Sequence, residues 1–334
     1  MKIGLDNWST LDWRVTKPEA EAAFTTYHRY LQHISLLISG YYGLGPDLGI
    51  GVHQPVAAQP ALKGVRRTIT REQREDLQKH LTIAWIREGN ICALLDQPVN
   101  YLPELLPGNT THAYYAVFHG AQAYFTAAGH PRYRDHAQVL RSLGNEVIQR
   151  RIFPIPWSVA CRGLPEPGSC EMVGLPADAQ IGFLHNFQAP DPESVWSAME
   201  KMLRTTRDRD FEIRKADWRK RNSKKRVPRA AALELADNMS PTTLFNFIWR
   251  LRTRTDYRDV DAFLEGISLD EFAQSFLATL IAVVQGTVAV FEALVAAYAG
   301  EDVLRQTAKR FSERAPKLSS AVRERVLLEV QPPI

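Results

Sequence analysis

THAYYAVFHGAQAYFTAAG, residues 111–129, decides the fold. Tyr114, Val117, Phe118, Ala121 and Phe125 recur at the three- and four-residue steps of one helix face, and Gly129 stops the run. Asn109 or Thr110 supplies the N-cap. Ala116, Gly120 and Ala123 are small enough to let another helix approach closely. The stretch therefore reads as a helix lying between partners inside a bundle.

Outward from it the text stays helical. His136 to Arg151 carries Val139, Leu140, Leu143 and Val147 on one face. Upstream, Thr70 with Gln73 three residues on is a capping box, opening a helix through Leu77, Leu81, Trp85 and Ile86 to about Leu95. Lys17 to Ser39 is opened by Pro18, Glu19 and Glu21, carries Phe24, Tyr27, Leu31, Ile34 and Ile38, and ends at Gly40. Gly40 to Gly64, with six glycines and three prolines, reads as an irregular loop, and its spacing does not fit a phosphate-binding GxGxxG turn. Prolines 98, 103 and 107 read as a second loop.

Downstream, residues 153–192 hold seven prolines and read as a long surface insertion. Helical text returns over Pro192 to Arg204 and again after Ser240 and Pro241, where Leu244, Phe247, Ile248 and Leu251 form a stripe. A long apolar helix spans about residues 269–299, and an amphipathic one runs from Glu301 to about Ser312. The expected fold class is all-α, a helical bundle with few strands. Its parts are an N-terminal helical region (1–100), a core (101–152 and 240–312) and a loop-rich insertion (153–239).

From Leu277 to Ala299 only Glu292 is charged, and that length would span a bilayer. Thr279, Gln285, Thr287 and Glu292 interrupt it, so it reads as a central helix buried all round. Residues 1–13 lack the apolar core of a secretory signal. Cys92, Cys161 and Cys170 include no CxxC pair and predict neither a disulfide framework nor a zinc ribbon. A reducing, cytoplasmic location is the expectation, with no membrane partner.

Three pieces in order, AYYAVFHGAQAYFTAAG (113–129), HAQVLRSLGNEVIQR (136–150) and LRTRTDYRDVDAFL (251–264), resemble the HEPN superfamily of helical bundles. They match the family's tyrosine-rich helix, the helix after it, and its Arg-containing helix with the apolar closing partner behind. Residues 101–154, including GNEVIQRRIFP, bear a fainter resemblance to YaaC-like proteins, which carries no activity. The HEPN resemblance implies metal-free RNA cleavage without a cofactor, across a homodimer, in a prokaryotic defence or toxin-type setting.

In such ribonucleases four to six residues separate an Arg from a following His, the His moving protons at the ribose 2′-hydroxyl while the guanidinium stabilises the phosphorane. Arg252 and Arg254 sit where that Arg would, but no His follows them within reach. Among the nine His only His80 has an Arg, Arg74, at that spacing, on the wrong helix for the family's order. A spatially assembled site would draw on Arg254 with His119 or His136 as acid or base. The plainer readings are a hydrogen-bonded core or interface residue for His119, a helix-start contact for His136, and anchoring of the Arg helix by Asp256 and Tyr257.

Charge is concentrated in one place. Arg204 to Arg229 holds twelve Lys or Arg against four acidic residues, a local +8 in a chain of +4, so the rest is −4. Arg214, Lys215, Trp218, Arg219, Lys220, Arg221, Lys224, Lys225, Arg226 and Arg229, with Phe211 nearby, mix cations with aromatics as single-stranded nucleic-acid surfaces do. RNA is the favoured partner. The rivals are an acidic protein partner and a non-catalytic scaffold in a larger assembly. No metal-ligand cluster or Walker-type phosphate loop occurs.

Overall fold

Helix α4 (Leu102–Ala128) is the axis on which the other elements are laid, packing against α3 (Arg71–Cys92), α8 (Leu244–Tyr257) and α9 (Asp270–Ala299). The structure, a computed structural model, describes residues 17–43, 46–175, 192–257 and 270–328. The fold is all-α, a helical bundle with one small three-stranded sheet among the described residues.

The small residues of α4 act as anticipated. A Cβ on Gly120 would lie 2.8 Å from the Phe291 ring, so only glycine lets α9 come this close. Phe291 then packs with Tyr124, Phe153 and Phe245. Helix α4 begins earlier than the prolines suggested. Pro103 occupies the first turn, where no helical N–H bond is owed, and Pro107 forfeits a single bond in the second turn. Thr110 is inside the helix and donates its hydroxyl to the Pro107 carbonyl (2.8 Å). Gly129 ends α4 at φ +74°, with the Arg67 guanidinium donating to the Ala128 carbonyl.

Two glycine- and proline-rich stretches proved more ordered than their composition suggests. Helix α1 (Lys17–Tyr42) runs through Gly40, and α2 (Pro46–Ala57) occupies the expected loop. Leu48, Val52 and Val56 of α2 are buried at four-residue steps. Gly49 and Gly51 are packing glycines: a Cβ on either would collide with the carbonyl of Arg325 or of Tyr42.

Residues 152–165 are largely core and not surface, while residues 166–169 and 171–175 are exposed or half-buried. Phe153, Trp157, Val159, Ala160 and Cys161 are buried, and Trp157 Nε1 donates to Thr287 Oγ1 (2.9 Å). Strands β1 (Ala160–Gly163) and β2 (Cys170–Val173) form an antiparallel hairpin, with β3 (Thr242–Thr243) on the other edge of β1. Cys161 and Cys170 form a disulfide across this hairpin, against the expectation of free thiols. The spacing of nine residues is bridged because the hairpin folds the chain back on itself. Helices α5 (His136–Gln149), α6 (Pro192–Arg221), α7 (Arg229–Asp237) and α10 (Glu301–Arg314) complete the bundle. One apolar cluster runs from Phe24 to Val326 and takes in the N-terminal helices, the hairpin and the C-terminal helices alike.

Among the described residues one helix is long and apolar enough to cross a membrane, and 78% of its most apolar stretch is buried inside the bundle. At its centre sits a charge network. Arg325, from the turn Arg323–Leu327, donates Nε and Nη2 to Glu292 (both 2.7 Å) and Nη1 and Nη2 to Glu88 (2.7 and 3.0 Å), while Trp85 Nε1 donates to Glu292 (2.7 Å). All four side chains are buried. Burial, and secondarily Glu292, push Glu88 above the ordinary carboxylate range against the pull of Arg325. Burial alone would raise Glu292 too, but the Arg325 charge and its hydrogen bonds hold it below.

Arg325→Met should cost about 3–5 kcal/mol, because it strands carboxylates away from water and from their cation. The shift in the urea midpoint measures it. Glu88→Leu, Glu292→Gln and Arg325→Met combined should recover most of the loss, since no charge then remains buried.

Candidate active site and nucleic-acid interface

Tyr114, Tyr115, Phe118 and His119 of α4 form one side of a polar and aromatic cluster to which three other helices contribute. From α3, fixed at its start by the Thr70–Gln73 capping box, His80 meets His119 with Nδ1 to Nδ1 at 2.9 Å and rings stacked at 5.1 Å. One turn earlier Asp76 places Oδ2 3.7 Å from His80 Nε2. Arg87, also on α3, approaches His112 Nδ1 (3.1 Å) and lies over the Tyr115 ring.

Helix α5 opens with Asp135 accepting from the Gln138 amide (2.7 Å), which sets His136 at the first helical position. His136 Nδ1 is 2.8 Å from the Tyr114 hydroxyl, and its ring stacks on Trp249 with centroids 4.9 Å apart. Trp249 and Arg252, three apart on α8, share a face. The Arg252 guanidinium lies 4.9, 5.0 and 5.4 Å from the Trp249, Tyr115 and Tyr114 ring centroids.

Burial, followed by the charges of His80, Arg87, Lys79 and His136, lowers His119 to about 4. Burial lowers His136 too, helped by Arg252 and opposed by Asp135. His80 is lowered by burial, with Asp76 opposing and Arg132 and Lys79 assisting. At neutral pH these imidazoles are uncharged, with the Arg87 charge acting on His119 and the Arg252 charge on His136. That combination can accept a proton and stabilise developing negative charge. Among the described residues no group of three or more His, Cys, Asp or Glu is arranged to hold a metal ion.

His119 and His136 are thus brought together, within the ring network that Phe118 bridges. The side chains of Arg254, Asp256 and Tyr257 lie outside the described residues. Arg252 stands in the cluster. Arg87 and His112 were not singled out, and His80 was noted only for its spacing from Arg74. The four- and seven-residue steps from Asp76 to His80 to Arg87 lay those three along one strip of α3, and His112 on α4 has no such signal. Arg74, spaced correctly from His80, is exposed and stands apart.

The basic segment divides between structure and surface. Arg207 is 1% exposed and donates to the carbonyls of Gly163 (2.6 Å), Ser240 (2.9 Å) and Ala236 (2.8 Å), a clamp that ties α6 to the hairpin and to α7. Burial, then Arg214, lowers it to about 10. Phe211 is also interior, packed with Leu164, Ala236 and Met239, and cannot stack on a base. Arg214, Lys215, Trp218 and Arg219 are half-buried, with Lys215 paired to Glu212. Lys220, Arg221, Lys224, Lys225, Arg226 and Arg229 are exposed, and Arg229 meets Glu166 at 2.8 Å.

Two cavities lie between α5 and α6 and share part of their lining. The larger, about 780 Å³, lies between α5, α6 and residues 236–241; the smaller, about 260 Å³, extends to Trp249. Arg141, Arg214, Met239 and Ser240 line both. Neither Arg141 nor Arg214 has an ion-pair partner among the described residues, although Asp210 lines the smaller cavity beside Arg214. Comparison of the chain with protein-family models, with curated proteins and with solved structures finds no match in any of the three.

The lowered histidines make a stability statement. Their folded pKa lies below the unfolded 6.5, so below that pH the unfolded chain binds more protons. Their contribution is complete above pH 6.5 and is lost as pH falls towards about 4. Melting temperatures between pH 7 and pH 4 should therefore fall more steeply for wild type than for His119→Asn.

Proposed function

We propose that this chain is a HEPN-like protein that binds RNA along the exposed end of α6 and cleaves it without a metal at the cluster of α3, α4, α5 and α8. The observation that supports the reading is that Arg214 of the basic helix and Arg141 line two adjoining cavities, the smaller of which is bounded by Trp249, the ring on which His136 stacks. An RNA backbone held by Lys220, Arg221, Lys224, Lys225 and Arg226 would lead along that path. His119 or His136 would take the 2′-hydroxyl proton, and Arg252, in the role first assigned to Arg254, would stabilise the phosphorane. A prokaryotic defence or toxin-type setting and a homodimer accompany the reading through the HEPN resemblance.

A second reading is favoured by one observation. Arg252 is only 9% exposed and is enclosed by three aromatic rings, as in a bundle that uses this residue for packing. The chain would then be a non-catalytic scaffold whose basic helix docks RNA or an acidic protein.

Incubation of the purified protein with labelled single-stranded RNA in EDTA separates the two. Cleavage should fall about 10²–10⁴-fold in His119→Ala, the size of effect expected for loss of a general base. Arg252→Lys, which keeps the charge and loses the planar fork, should also lower the rate. Wild-type protein that leaves the RNA intact removes the nuclease reading, and variants that cleave normally remove the cluster from it. Lys224→Glu, Lys225→Glu and Arg226→Glu together should weaken RNA retention and flatten its dependence on salt. Unchanged retention would take this surface out of the interface.

A further inference from the structure

Asp76, His80 and His119 stand in line from the edge of α3 to the face of α4. The 2.9 Å approach of the two Nδ1 atoms admits one proton between them, so one ring donates and the other accepts. Which ring donates is decided at the far side of His80. Its Nε2 is buried and lacks a hydrogen bond, and the nearest charge it faces is the Asp76 carboxylate at 3.7 Å. A lone pair pointed at a carboxylate is repelled and an N–H is attracted, so His80 carries its proton on Nε2. Its Nδ1 must then accept from His119 Nδ1–H. The lone pair of His119 is left on Nε2, for which no partner occurs among the described residues.

We propose that Asp76 and His80 are positioning residues that hold His119 in the tautomer with Nε2 unprotonated, and that this nitrogen is the general base of the cleavage reaction. The assignment of the base rests on the ribonuclease reading above; the tautomer does not. In the step, the proton of the ribose 2′-hydroxyl passes to His119 Nε2 as the O2′–P bond forms and the P–O5′ bond breaks. The leaving 5′-oxygen takes a proton from water, and His119 returns its proton to water. The products are a 2′,3′-cyclic phosphate and a 5′-hydroxyl, with no net water consumed. The imidazolium formed on His119 is opposed by burial, then by His80, Arg87 and Lys79 of α3 and by His136 of α5. On His80, Asp76 favours the charged form, while Lys79 and Arg132, in the loop after α4, oppose it.

Two measurements on the full chain test this. Long-range nitrogen–proton correlation spectra of histidine-labelled protein should show His119 protonated on Nδ1 and bare on Nε2, and Asp76→Asn should move population towards the opposite tautomer. Asp76 has a quarter of its side chain exposed, so this substitution leaves the packing intact where a change at buried His80 would not. In single-turnover cleavage with EDTA, Asp76→Asn should lower the rate about tenfold, part of the effect expected of a general base. It should also displace the acid limb of the pH profile to lower pH, because the carboxylate that favours a proton on the His80–His119 pair is gone. A proton on His119 Nε2 in wild type overturns the proposal whatever the rates are, and so does an Asp76→Asn protein with unchanged tautomer and unchanged rate. Wild type that cleaves no RNA defeats the ribonuclease reading and the base assignment with it, and the spectra still decide the tautomer.

Discussion

Arg325 inserted between Glu88 and Glu292 is the contact on which the rest of the architecture depends. It joins the end of the described chain to α3 and α9 in a region without water, where separating the partners costs several kcal/mol. Trp85 and Glu88 together fix the rotation of α3 about its own axis. Because His80 lies one turn and a fraction before Trp85, that rotation also fixes the direction in which His80 meets α4. A buried ionic lock thus sets the geometry of an imidazole pair on the other side of the same helix.

The cluster built on this frame holds several neutral imidazoles close to fixed guanidinium groups. Burial and mutual repulsion keep His80, His119 and His136 uncharged, and Arg87 and Arg252 add to that effect. Arg252 is stacked on rings and its position is therefore rigid, which suits stabilisation of charge that appears only in a transition state. The same rigidity would serve a purely structural bundle. Measured chemistry distinguishes these uses, since the contacts are common to both.

The cations of α6 divide in the same way. Arg207 is committed to backbone carbonyls of the hairpin, and Arg209 donates to Thr253 of α8 (3.0 Å), so part of the segment's charge holds the bundle together. The charges beyond Asp217 remain on the surface, where counterion release makes them available to phosphates. A count of Lys and Arg overstates the binding surface, because burial removes the earliest of them.

Periodicity made most of the helices legible. The stripe of α4, its Gly129 stop, the Thr70–Gln73 box and the burial of α9 follow from local spacing, because each face or cap is encoded within a few residues. His119 and His136 were legible as candidates from their place beside aromatic stripes. Helix α2, the buried hairpin and the Cys161–Cys170 bond were not: Gly49 and Gly51 of α2 serve close packing against Arg325 and Tyr42, and the disulfide depends on the fold-back of the hairpin, neither of which local spacing shows. That Arg252 stands among the rings of the cluster, and that His80 pairs with His119, only the tertiary structure decided. Helix rotation selects which residues point inward, and that rotation is set by contacts between residues hundreds of positions apart in the chain, such as Glu88 with Arg325.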